Sequence, residues 1–201
     1  MDVDGYTMWV VGCSLLVVAP QVTDGQRQQV LASLGKAQQR ADDSVAARLH
    51  GQRYRDRAYR RALGDQGWSV VHSCQSVDSA ERRGVLAPLQ PLLLWLSTVH
   101  PMQAQILERC VAALNPAQQG LRQLSRHALH ASVDGVRVLV ELGLVLPGGA
   151  LSLCSLALEM SRCPDPGWLF TPFPGPLLRG DVHFQGLMLE PGPAPASRTL
   201  H

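Results

Sequence analysis

Residues 135 to 146, "GVRVLVELGLVL", decide how this chain is read. Asp134 can cap a helix that begins there, and the stretch is long enough for three turns. The stretch is apolar on nearly every face, which also fits burial in a larger assembly. The same residues also alternate well enough to form a strand, and periodicity alone does not separate the two for an apolar run. Taken with its neighbours the stretch reads as a helix, because apolar segments of helical length recur on both sides, punctuated by Pro, Gly or Asp.

On the N-terminal side, Pro88 and Pro91 head "LLLWLSTVH", Pro101 precedes "MQAQILERCVAAL" and Pro116 follows Asn115, each suited to a first helical turn. On the C-terminal side, Pro147, Gly148 and Gly149 break the chain before "ALSLCSLALEMSR" (150–162). About five short helices joined by tight turns are expected over 79–162. The fold expected is therefore mainly α: an irregular helical bundle or a short armadillo- or HEAT-like stack of helix pairs, with at most one or two short strands and a disordered C-terminal tail. No self-similarity supports a repeat beyond that spacing.

Further upstream, Val30, Leu34, Ala41, Val45 and Leu49 recur at helical spacing between Thr23 and Leu63. Thr23 or Asp24 can cap the start and Gly51 can divide the segment in two. "WSVVHSC" (68–74) follows Gly64 and Gly67 and is the one expected short strand. The domain plan is an apolar N-terminal segment (1–22), a helical domain (23–163) and a proline-rich strap with a disordered tail (164–201).

Composition sets the functional range. With 201 residues and 46% hydrophobic content the chain can bury a core, while its formal charge of +2 is too small to mark a nucleic-acid or membrane-surface binder as a whole. The five cysteines lie far apart with no CxxC pair, and they read as reduced buried thiols. "MWVVGCSLLVVAP" (8–20) has the length of a signal-peptide core. Its acidic lead "MDVDGYT" lacks the positive charge that secretion favours, and its length is too short to cross a bilayer. A cytoplasmic or nuclear location is expected, with the secretory pathway as the alternative.

Charge does concentrate locally. "RYRDRAYRR" (53–61) holds five arginines, and eight basic but only three acidic side chains lie between Lys36 and Arg61. On a helix, Arg53, Arg57, Arg60 and Arg61 share one face, with the tyrosines toward the core and Asp56 able to pair locally with Arg53 and Arg60. That pattern suits a solvated face, a contact for an acidic protein partner, or a site that neutralises phosphates. In the strap, "PDPGWLFTPFPGPLL" offers Trp168, Phe170 and Phe173, either packed back onto the last helix or presented as a linear motif.

Catalytic and metal readings find no support. There is no GxSxG, no phosphate loop, no HExxH and no dinucleotide glycine pattern. His127 and His130 stand three apart on an expected helix, but two imidazoles without a matching carboxylate or thiol do not make a metal site. Cys110 sits among apolar neighbours that raise a thiol's pKa. No catalytic residue, metal or cofactor is expected. The function expected is a non-catalytic helical interaction or scaffold protein, a subunit or adaptor with a protein partner. The alternatives are a small secreted or membrane-associated protein and a nucleic-acid-associated one using the Arg53 to Arg61 face.

Overall fold

A computed structural model describes residues 2–44, 51–79, 85–132, 135–164 and 167–192. It overturns the mainly helical reading. Among the described residues, ten strands and five α-helices form a mixed α/β fold around an eight-stranded sheet, and no helix pairs stack as in an armadillo or HEAT repeat.

Residues 2–18 hold three strands: β1 (Asp2–Val3), β2 (Tyr6–Val11) and β3 (Ser14–Val18). Asp4 and Gly5, both at positive φ, turn the chain between β1 and β2, as Asp-Gly pairs do in tight hairpins. The apolar run at 8–20 is thus a β2–β3 hairpin that reverses at Gly12 and Cys13. Helix α1 (Asp24–Asp43) begins with a full capping box, in which Thr23 and Gln26 exchange side-chain to backbone hydrogen bonds. Val45 and Leu49, expected to continue it, lie outside the described residues. Helix α2 (Gln52–Gly64) starts after Gly51, as the sequence suggests.

Strand β4 (Trp68–Ser79) is twelve residues long and exceeds the short strand expected over 68–74. The next strand, β5 (Val85–Leu86), belongs to a separate two-stranded sheet with β9 (Phe173–Pro174). Between them lie α3 (Leu89–Val99), α4 (Ala104–Ala112) and α5 (Gln119–His127), where the proline pattern places helices. Strands β6 (Leu129–Ser132), β7 (Gly135–Val145), β8 (Leu151–Met160) and β10 (Leu178–Pro191) complete the main sheet, in the order β1-β2-β3-β7-β8-β10-β4.

Two of the expected helices, 135–146 and 150–162, are therefore central strands. The physical reason is burial on both faces. Helices α1 and α2 cover one side through Val30, Leu34, Ala37 and Leu63 against Leu16, Leu153 and Leu187. Helices α3, α4 and α5 cover the other through Leu92, Leu96, Leu107 and Leu124 against Leu15, Val140, Leu142 and Leu156. A strand covered on both faces has no polar side, so its alternation disappears and only a continuous apolar run remains.

The third correction concerns the tail. Residues 178–191, part of the segment expected as a proline-rich strap with a disordered tail, pair with β8 on one side and β4 on the other and lie inside the sheet. Within this strand Gly186 makes room for an aromatic ring. A Cβ there would come within 2.4 Å of the Trp95 ring, so the aromatic from α3 fills space that a larger strand residue would occupy. Residues 193–201 of the expected tail lie outside the described residues.

One edge of β7 is shared by two strands. Its first half pairs antiparallel with β6 (Leu129↔Val138 to Ser132↔Gly135), and its second half pairs parallel with β3 (Ser14↔Glu141 to Val18↔Val145). The handover falls between Leu139, whose N–H donates to the Ala128 carbonyl, and Glu141, whose N–H donates to that of Cys13. Glu141 thus sits at a seam in the sheet.

Candidate functional site

Two features of the structure carry chemical information: a buried polar cluster at the seam and an open strand at the sheet's edge. The cluster forms because three elements converge on Glu141 of β7, which is 1% exposed. Ser14 of β3 lies opposite it and its hydroxyl donates to Oε2. Gln38 of α1 donates through Nε2 to Ser14 Oγ at 2.7 Å and to Glu141 Oε2 at 3.0 Å. Tyr59 of α2 donates to the same oxygen at 3.2 Å. Gly12 is required beside them, since its φ is +53° and a Cβ would come within 1.9 Å of Gln38 Oε1.

Arg55 stands next to this cluster, buried, with its guanidinium 5.8 Å from the Tyr59 ring centroid and its Nε paired to Asp42 at 2.9 Å. Burial pushes the Glu141 carboxyl above its ordinary range, and Arg55, Ser14, Gln38 and Tyr59 each pull it back. Burial, and then the Glu141 charge, push the Cys13 thiol well up, which makes it a poor nucleophile. Ser14, Gln38 and Tyr59 all donate to a carboxylate closed off from solvent, while Arg55 Nη2 is buried without a hydrogen-bond partner among the described residues, and the cluster ties β3, α1 and α2 to β7 at the seam.

The open edge is β4. It pairs with β10 from Trp68↔Pro191 to Ser79↔Asp181, with a bulge at Val71 where the register slips between Met188 and Leu189. On its other side it has no strand among the described residues. Nearly the whole strand is exposed, including Val70 (43%), Val71 (53%) and Val77 (44%). Edge strands commonly carry lysine, proline or several charges that discourage pairing. Residues 68–79 contain no Lys, Arg, Glu or Pro, and Asp78 is their one charged side chain.

The residues singled out in the sequence fall elsewhere. On α2, Arg53, Arg57 and Arg61 are exposed and Arg60 is half-buried, so the basic face points outward. Tyr59 turns inward while Tyr54 stays 43% exposed beneath the Arg57 guanidinium. Asp56 is buried and accepts from Gln52 at 2.6 Å. Arg53 also lines an open cleft of about 370 Å³, with Arg137, Glu159, Asp181 and His183 on the facing strands. There Arg137 pairs with Glu159 at 3.1 Å. Arg57, Arg60 and Arg61 do not line that cleft.

The strap aromatics belong to the core beneath α3, α4 and α5. Trp168 and Phe173 are buried and stack with centroids 6.0 Å apart, and Phe170 packs partly buried against the same core. His127 ends α5 and His130 lies in β6, so they do not share a helix face. Burial lowers the His130 pKa. Among the described residues no group of His, Cys, Asp or Glu could hold a metal ion, and no helix is long and apolar enough to cross a membrane.

Sequence reasoning passed over both features. Glu141 left one signal, a lone carboxylate inside an apolar run, which requires buried partners wherever the run folds. The partners come from residues 14, 38 and 59, and nothing in their spacing connects them. The openness of β4 left no signal, because the edge position depends on strand order.

Comparison with known proteins leaves the chain without a family. No protein-family model matches it, and no curated protein sequence does. Among solved structures, a delta-endotoxin chain is similar with a TM-score of 0.40 and 12% identity, over 98% of this chain and 91% of that one. A likeness at that score carries no functional inference.

Proposed function

We propose that this chain is a non-catalytic protein-interaction module, a subunit or adaptor that works by accepting an extended strand alongside β4. One observation carries the reading: the twelve-residue strand β4 stands at the edge of a large sheet with no strand on its outer side among the described residues, and it carries no proline and a single charged side chain. Backbone hydrogen bonds would supply affinity and the exposed valines selectivity. The closed polar cluster supports the non-catalytic part, since its carboxylate and thiol are buried.

Site-specific photo-crosslinking in cells tests this. A benzoylphenylalanine at position 71 is expected to give discrete protein adducts that Val77→Lys abolishes, while the same probe at Met102, which is 89% exposed on the opposite helix layer, gives none in common. Absence of adducts from position 71 would reject the reading.

A further inference from the structure

We propose that the strand accepted at β4 belongs to an acidic protein segment, whose alternate carboxylates meet the arginines of α2. The inference rests on the strand-accepting reading of β4 and adds the chemistry of the partner. What selects that chemistry is a row of guanidinium groups without anions, on the flank of α2 that borders the open edge.

Helix α2 runs antiparallel to β4. Its C-terminal end leads through residues 65–67 into Trp68. Its N-terminal end, at Gly51 to Arg53, shares a cleft with Asp181 and His183 of β10, which pair with Ser79 and Val77 near the far end of β4. Helix α1 lies on the other flank, where its Gln38 reaches Ser14 of β3 and its Asp42 pairs with Arg55. At 3.6 residues per turn, Arg53, Arg57 and Arg60 stand about 140° to 200° around α2 from Arg55. They are therefore on the flank away from α1, and the strand order β3-β7-β8-β10-β4 puts the open edge on that flank.

No carboxylate neutralises this row. Among the described residues Arg53, Arg57, Arg60 and Arg61 form no ion pair, whereas Arg55 has Asp42. Asp56, the carboxylate within the same stretch, is buried and accepts from Gln52. The one charge of β4 is on the opposite face. From His72 to Ser79 the pairing with β10 is continuous, so Asp78 shares a face with Cys74, which lies by Gly186 and Trp95, while Gln75, Val77 and Ser79 face the α2 side. Glu159 and Asp181 lie further inward, in the cleft, and Glu159 already pairs with Arg137.

A strand added beside β4 would present every second residue to the α2 side, at a spacing of about 6.8 Å. Arg53 to Arg60 spans about 10 Å of helix axis, so two or three successive positions of that strand come within reach of guanidinium forks. Carboxylates there gain charge-assisted contacts, and lysines are repelled. A polynucleotide can meet the arginines but has no peptide amides to pair with β4. The two features together favour an acidic peptide.

Fluorescence anisotropy of the purified full chain with short labelled peptides at low salt tests the inference. Three peptides alternate valine with glutamate, glutamine or lysine, and a fourth repeats the glutamate sequence with every backbone nitrogen methylated. The glutamate peptide is expected to bind about tenfold more tightly than the glutamine one, the size of a few exposed ion pairs, and to lose that advantage as salt is raised. The lysine and methylated peptides should not bind. The triple variant Arg53→Gln, Arg57→Gln, Arg60→Gln should bind the glutamate and glutamine peptides equally, with its melting temperature unchanged.

Equal affinity of wild type for the glutamate and glutamine peptides overturns the acidic preference and leaves the strand-accepting reading standing. Binding of the methylated peptide as tightly as its parent means contact by charge without strand pairing, and both fail. If no peptide binds, this inference fails and the cross-linking at position 71 alone decides the strand-accepting reading. A single-stranded oligonucleotide that binds more tightly than the glutamate peptide, and is lost in the triple variant, assigns the arginines to nucleic acid and overturns the inference as well.

Discussion

The two faces of the sheet are stabilised by different physics. Beneath α3, α4 and α5 the core is almost wholly apolar, with Leu92, Leu96, Leu107, Leu124, Leu142 and Leu156 buried together, and shape alone fixes how it packs. Beneath α1 and α2 an apolar layer of similar character is interrupted by Glu141, Ser14, Gln38 and Tyr59. An apolar face tolerates sliding, since one leucine substitutes for another. A carboxylate that must meet three donors from three elements does not. Because Glu141 lies where β7 changes partner from β6 to β3, its cluster penalises any register other than the observed one.

The largest test of that contrast is Glu141→Ala. It leaves Ser14, Gln38 and Tyr59 buried without the carboxylate they donate to and removes one charge near Arg55, which keeps its Asp42 partner, and a loss of about 4 kcal/mol is expected in denaturant unfolding. A loss below about 1 kcal/mol would mean that the cluster is incidental. On the apolar face, Leu142→Ala should cost about 3 kcal/mol from lost burial and an unfilled cavity. The two variants should differ in kind as well as size. The leucine variant should keep the wild-type pH profile, whereas the glutamate variant should not.

The sign of that profile follows from burial. The Glu141 carboxyl titrates above its ordinary value of 4.5 in the folded chain, so the folded state holds its proton more tightly than the unfolded state does. Its stabilising contribution is complete below the unfolded pKa and is lost as pH rises through the folded one. Wild type should therefore lose stability from about pH 4.5 upward relative to Glu141→Gln, read as the difference between their unfolding midpoints at each pH. A difference that grows in the opposite direction would contradict the burial assignment.

Smaller effects sharpen the comparison. Tyr59→Phe removes one of three donors and keeps the ring, so about 1 kcal/mol is expected. Replacing Arg53, Arg57, Arg60 and Arg61 together by glutamine should change stability by less than about 1 kcal/mol, because three of the four are exposed. Arg55→Gln, in the same "RYRDRAYRR" stretch, should cost more than the other four combined, since it alone is buried and paired with Asp42. Thermal melting of the two variants side by side distinguishes them.

Five helices, the Thr23 cap and the break at Gly51 were legible because each is a local matter. Proline at a first turn, a threonine that can reach a nearby N–H and apolar residues every three or four positions act within one turn of chain, and the sequence states them directly. Glu141 stood in the sequence only as a lone carboxylate in an apolar run, and it was passed over. The sequence could not identify which partners, because Ser14 and Gln38 are 127 and 103 residues away along the chain. Strands β7 and β8 were hidden by their own burial: helices on both faces remove the polar positions that reveal a strand's period. Strand β10 was hidden by the prolines that flank it on both sides, and Gly186 within it makes room for the ring of Trp95 from another element. The open edge of β4 is the most tertiary feature of all, since the same twelve residues would be an interior strand if one more strand followed them in the sheet.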